Sequence, residues 1–189
     1  MAEEIREGVQ YALLPRSMRV SPSDRIVVWE FFWYGSPQCC ALESTLRPWV
    51  REQAADVRFG RVSALFGGPW DAHGQMHLTL DLMGLADDEM VDSVYKSIHG
   101  ERRRLTTLDD QTTFLAQQGI DLDTYLTTFH SFAVRARLAQ TKDRTHRVGM
   151  TNVPTLVVNG KYRTDLAMSG GPDALLQVLD VLVAKERDV

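Results

Sequence analysis

Hydrophobic residues recur in two rhythms along this chain, and the switch between them divides it. From Ile26 to Trp33 every residue but Glu30 is apolar, β-branched or aromatic. Such a run predicts a strand buried on both faces. It breaks at Tyr34-Gly35. Ser36-Pro37 then offers a helix N-cap followed by proline at the first helical position. Leu42, Leu46 and Trp49 follow at the i, i+4, i+7 spacing of one helix face. Pro48 lies late in this helix and is expected to kink it or end its regular hydrogen bonding. Val57 to Ala64 alternates imperfectly and predicts a second core strand. Upstream, Tyr11 to Leu14 is ended by Pro15, as in an edge strand. Ser21-Pro22-Ser23-Asp24 reads as a turn.

After Gly67-Gly68-Pro69 the rhythm becomes helical. Met76, Leu80 and Met83 form one stripe; Val91, Val94, Tyr95 and Ile98 form another. Thr107 to Gln118 predicts a short helix ended by Gly119. Tyr125, Phe129, Phe132 and Ala136 predict one long last helix. These methionine and aromatic stripes read as core. Strand character returns at Thr155-Leu156-Val157-Val158, and Asn159-Gly160 is a strong hairpin signal before Lys161-Tyr162-Arg163. Gly170-Gly171-Pro172 opens a final helix with Leu175, Val178, Leu179 and Leu182 toward the sheet. The pattern therefore predicts an α/β protein: residues 1–66 and 148–189 build a sheet domain, and 67–147 an all-helical insertion without strands.

Composition narrows the function. The 189 residues are 44% hydrophobic and 24% charged, an ordinary globular balance for one domain with an insertion. A net charge of −4 gives no reason to expect a nucleic-acid partner. The basic clusters Arg102-Arg103-Arg104 and Lys142 to Arg147 read as solvated faces. Two adjacent cysteines cannot make a disulfide framework. No apolar run reaches membrane-spanning length. The first residues, Met1 to Gly8, lack the basic and apolar regions of a signal peptide.

The candidate chemistry lies where the first long helix begins. A helix N-terminus presents free N–H groups and positive dipole, which favour a thiolate. The redox motif that uses this geometry is Cys-x-x-Cys. Here Cys39 occupies the second position and Ser36 the first. Ser36 cannot form a disulfide, and as an N-cap it is fully explained. It lacks a neighbouring base, since Gln38 is not one, and no Gly-x-Ser-x-Gly elbow exists, so hydrolase chemistry is not expected. Cys39 reads either as a resolving thiol or as a small buried hydrophobe. Cys40 points about 100° away from Cys39 and reads as a packing residue or as an incidental exposed thiol. Glu30 interrupts the apolar strand, where a carboxylate is costly unless neutral or paired. His73 and His77 are four apart but lack the further ligands of a metal site, so no metal and no cofactor are expected.

Three segments bear a resemblance. FFWYGSPQCCALE, from Phe31 to Glu43, resembles the active-site segment of the DsbA family of thiol:disulfide oxidoreductases. ALFGGPWDAHGQMHLTLDLMG, Ala64 to Gly84, resembles the entry to that family's helical insertion. GMTNVPTLVVNGKYRTD, Gly149 to Asp165, resembles its cis-proline loop and the strands after it. The chain departs at Ser36, where the family has its nucleophilic cysteine, at Gln38 for histidine, and at Cys40 for tyrosine. The resemblance implies a thioredoxin-like fold with an inserted helical domain, and an enzyme that introduces disulfides into exported proteins. It implies catalytic positions at Ser36, Pro37, Gln38, Cys39 and Glu30. It also implies a cis bond at Val153-Pro154 and a substrate groove there, rimmed by His73 and Met76. Its partners would be unfolded cysteine-containing proteins and a DsbB-like membrane reoxidase, and the protein a periplasmic monomer whose leader has been removed; the alternative is a cytoplasmic protein. With Ser36, either by design or by natural divergence, the redox cycle should not complete. Rival readings are a redox-inactive, chaperone-like peptide-binding module and a glutathione-linked monothiol enzyme using Cys39.

Overall fold

Five strands form one sheet in the order β1-β5-β4-β2-β3, in a computed structural model that describes residues 4–18 and 25–188. The expected turn at Ser21 to Asp24 lies outside the described residues. Strand β2 (Ile26–Phe32) pairs antiparallel with β4 (Thr155–Val158), from Val28↔Val158 to Phe31↔Thr155. Strand β4 pairs antiparallel with β5 (Tyr162–Asp165). The turn between them uses Asn159 at φ 51° and Gly160 at φ 64°, left-handed conformations that asparagine and glycine tolerate best. Strand β1 (Ala12–Leu13) lies on one edge against β5, just before Pro15, as proline requires. Strand β3 (Val57–Ser63) forms the other edge, not a central position.

The chain divides into two compact units. One comprises residues up to Phe32, Gln38–Val62 and Arg144–Val189; the other comprises Trp33–Pro37 and Ser63–Asp143. The cuts fall at 62/63 and 143/144, where the hydrophobic rhythm placed them at 66/67 and 147/148. The short Trp33–Pro37 segment joins the helical unit, which no periodicity predicted.

In the sheet unit, helices α1 (Pro37–Glu52) and α8 (Pro172–Arg187) supply the apolar faces that cover the strands. Val28, Leu156 and Val158 meet Leu42, Leu46, Leu175, Val178, Leu179 and Leu182 in one buried cluster. Burying each such side chain is worth roughly 1.5–3 kcal/mol, so this cluster is the main source of the unit's stability. Pro48 does not end α1, which runs on to Glu52. It removes one intrahelical N–H, a loss that the buried Leu46 and Trp49 on either side of it outweigh.

The helical unit holds α2 (Pro69–Leu82), α3 (Asp88–Tyr95), a single π turn (Lys96–Gly100), α4 (Leu108–Gln117), α5 (Leu122–Phe129) and most of α6 (Phe132–Val148). Among the described residues no strand lies between Trp70 and Arg147. Helix α2 buries His73, Gly74, Met76, His77, Leu78, Thr79 and Leu80, more than one stripe, as befits a central helix. The single long helix expected through Tyr125 and Ala136 is in fact two. The chain breaks at His130-Ser131, where the Ser131 hydroxyl accepts from Val134 N and caps α6. Phe132 consequently faces solvent at 77% exposure instead of joining the Tyr125 stripe.

The central position of β4 makes a direct test of this packing. Leu156 is fully buried, so Leu156→Ala should destabilise the sheet unit by about 2–5 kcal/mol. Urea unfolding should show a lower midpoint, with the slope of the transition unchanged.

Candidate active site

The local sequence sets the geometry. Helix α1 begins at Pro37, which puts Ser36 at the N-cap, Gln38 at the second helical position and Cys39 at the third. Ser36 is buried, Pro37 and Gln38 are exposed, and Cys39 is fully buried. Cys40 is half-buried, and neither cysteine is in a disulfide. A thiol at the position of Ser36 would face the free N–H groups of the first turn, where a thiolate is stabilised. Cys39, one turn further in, has no access to solvent.

Glu30 stands on the face of β2 that also carries Ile26 and Val28, since side chains alternate along a strand. It is fully buried, and neither of its carboxylate oxygens accepts a hydrogen bond from a described residue. Arg61 approaches it to 3.6 Å through Nε. That guanidinium donates instead to Glu43, through Nε at 3.2 Å and Nη2 at 2.8 Å. Arg47 adds a 2.6 Å ion pair to Glu43. Burial and the nearby Glu43 charge therefore win over the two arginines, and the Glu30 carboxyl is pushed up to about 8. At neutral pH it is predominantly protonated. Glu43 lies four residues after Cys39, hence on the same face of α1. Neither Glu43 nor Arg61 was predicted as part of the site. The signals were present: a glutamate beside Leu42 on an otherwise apolar helix face, and an arginine at an inward position of β3.

The other predicted residues fall elsewhere. His73 and Met76 do not rim a groove. They are 3% and 0% exposed, inside the helical unit. His73 Nε2 donates to the Arg104 carbonyl at 2.8 Å, which leaves Nδ1 unpaired. Burial holds this imidazole below its ordinary range, with the nearby His99 acting in the same direction and the Arg104 bond against it. His77 Nδ1 pairs with the Tyr34 hydroxyl at 2.9 Å. Each histidine thus has its own partner, and among the described residues no cluster is arranged to hold a metal. A partly exposed aromatic group occurs nearby: half-buried Trp33 stacks on half-buried Trp70 at 4.1 Å, and Phe66, 47% exposed, meets Trp70 edge-on at 5.2 Å. In the sheet unit the Val153-Pro154 bond is cis and both residues are buried.

A thioredoxin-type sheet, a helical insertion, and a redox-type motif opening the first long helix define a thiol:disulfide oxidoreductase class. Residues 27–182 match the model of the DSBA-like thioredoxin domain. The thiol:disulfide interchange protein DsbA of Pseudomonas syringae pv. tomato is 47% identical over 186 residues, covering 98% of this chain and 86% of that protein. The corresponding protein of Pseudomonas aeruginosa is 42% identical, covering 98% and 88%. The crystal structure of Pseudomonas aeruginosa DsbA superposes with a TM-score of 0.93 at 42% identity, covering 99% of this chain and 97% of that one. That of the Xylella fastidiosa oxidoreductase gives 0.86 at 30% identity, covering 95% and 96%. The chain belongs to the DsbA family of thiol:disulfide oxidoreductases.

Glu30 yields a pH prediction with a definite sign. Its folded value lies above the unfolded one, so between the two the folded state binds the extra proton. The stability that protonated Glu30 contributes should be fully present below pH 4.5 and be lost as pH rises toward 8, by on the order of a few kcal/mol. Glu30→Gln should flatten that decline, matching the parent at acid pH and exceeding it above pH 8. Urea unfolding at both ends of the range measures it; a parallel decline in the variant would assign the pH dependence to other groups.

Proposed function

We propose that this chain is a disulfide-donating periplasmic oxidoreductase halted at residue 36, which still engages unfolded substrate proteins. The observation behind it is the placement of Ser36 at the N-cap of α1 with Cys39 buried at its third position. With sulfur at both positions, a substrate thiolate attacks the sulfur at 36. The 36–39 bond breaks, and its electron pair passes to the Cys39 sulfur, which takes up a proton. A second substrate thiolate then attacks the mixed disulfide, forms the substrate's own disulfide and releases the thiolate at 36. The substrate dithiol is oxidised and the 36–39 pair reduced; a DsbB-like membrane reoxidase returns the pair to its oxidised form.

Serine at 36 provides no S–S bond to attack, so the cycle has no first step. Cys39 does not substitute as a monothiol, because it is fully buried and a thiol without access neither attacks nor is attacked. Substrate binding does not require sulfur. The Trp33, Trp70 and Phe66 rings offer apolar surface, the first three residues before Ser36 and the other two at and just before the start of α2. An extended, apolar segment of an unfolded chain suits that surface, held weakly because it loses conformational freedom on docking.

Two experiments test this. In insulin-reduction and peptide-oxidation assays the protein should run at background, and Ser36→Cys should restore turnover. Robust oxidation by the serine form would transfer the chemistry to Cys39 or Cys40. Separately, a cysteine-free substrate peptide should shift amide resonances near Ser36, Phe66 and Trp70. Trp70→Ala should weaken that binding by roughly five- to tenfold, the loss of about 1 kcal/mol of aromatic contact. Shifts confined to α3–α5 would refute the aromatic surface as the docking site.

A further inference from the structure

The turn leading to residue 36 is held by side chains of the helical unit. The Ser36 N–H donates to the Trp33 carbonyl at 3.0 Å. Gly35 leaves the space of a side chain to the Trp33 indole, which a Cβ would meet at 2.3 Å. Gly35 has no side chain to hold this turn, and the carbonyl of the Tyr34–Gly35 peptide is bonded from the Tyr34 side. Tyr34 is held at both ends. Its hydroxyl lies 2.9 Å from His77 Nδ1, and its carbonyl lies 2.8 Å from His99 Nε2.

His99 comes from the π turn Lys96–Gly100, closed by Glu101 N donating to the Lys96 carbonyl at 3.0 Å. A π turn inserts a residue into helical winding and re-aims the side chains that follow. It therefore directs His99 in a way that an unbroken α-helix would not. A carbonyl only accepts, so Nε2 carries the proton.

We propose that His99 is a positioning residue for residue 36: its bond to the Tyr34 carbonyl fixes the Tyr34–Gly35 peptide and thereby the start of α1. This rests on the reading that position 36 is the redox position. Trp33–Pro37 belongs to the helical unit and Gln38 onward to the sheet unit. His99 is thus, with His77, a side chain of the helical unit that holds the segment carrying the first redox position.

The test begins with the chain as it stands, measuring amide hydrogen exchange at Gly35 and Ser36. His99→Ala should accelerate it roughly five- to tenfold, corresponding to one lost hydrogen bond of about 1 kcal/mol, with exchange in β4 unchanged. His99→Gln, whose side-chain amide N–H can donate in the same direction, should return it most of the way. Unchanged exchange in the alanine variant overturns the proposal, as does equal acceleration in both variants, which would show that the ring acts by packing alone. In the Ser36→Cys background, His99→Ala should also shift the reduction potential of the restored pair, and glutamine should reverse that shift. If Ser36→Cys stays inactive, the proposed function fails and the exchange data still decide on His99. If it is active and neither exchange nor potential responds, only the role of His99 fails.

Discussion

The passage from β2 into α1 is the constraint on which the rest depends. A strand with Val28, Phe31 and Phe32 fully buried has to leave the sheet and start a helix within four residues. The helix must begin with its N–H groups unpaired, because those groups give the first motif position its affinity for negative charge. Gly35 permits the close turn, Ser36 caps and Pro37 begins the helix in the conformation its ring already imposes. The sheet unit then anchors α1 through Leu42, Leu46 and Trp49. The same passage delivers Glu30 to the interior two residues before the strand ends.

Glu30 is what distinguishes this interior from an ordinary apolar one. A buried carboxyl without hydrogen bonds is destabilising in its ionised form, and Glu30 has one long ion pair, to Arg61 at 3.6 Å, and no hydrogen bond from a described residue. Arg61 is engaged by Glu43, so the three charged side chains form a graded set: one paired glutamate, one shared arginine, and one glutamate left protonated. A simple ion pair would have held Glu30 ionised and fixed. The observed arrangement leaves it able to change protonation state near neutral pH, on the side of the sheet that faces α1.

Much of this was legible in the chain. The change from alternating to helical rhythm signalled a helical insertion, because each rhythm is a direct record of which side chains face a core. The Ser36-Pro37 start, the Asn159-Gly160 turn and the inward face of α8 are local features with local causes, and they appear where the residues put them. What the rhythm could not show depended on tertiary partners or on single capping residues. Ser131 splits one apparent helix into two, yet the spacing from Tyr125 to Ala136 reads as unbroken. Glu43 and Arg61 look like solvated charges until β3 and α1 come together. His73 and Met76 look like surface residues near a motif, but α2 is buried on nearly all sides. His99 has no pattern at all, because its aim comes from a π turn that periodicity does not encode.

Serine at position 36 separates two requirements that one residue ordinarily meets together. As a cap, serine satisfies the helix start at least as well as a thiol, since its oxygen is the stronger hydrogen-bond acceptor. As a redox group it is inert. The fold therefore loses nothing at the junction while the chemistry loses its first atom. The sheet-unit core, the bonds from His77 and His99 to Tyr34, and the pairing of Arg61 with Glu43 and Glu30 are each made by other residues. They persist in a chain without a disulfide because apolar packing and the hairpin supply its stability. The fold is thus a property of the scaffold and reactivity a property of one position on it, which is why the family assignment stands independently of the proposed loss of turnover at residue 36.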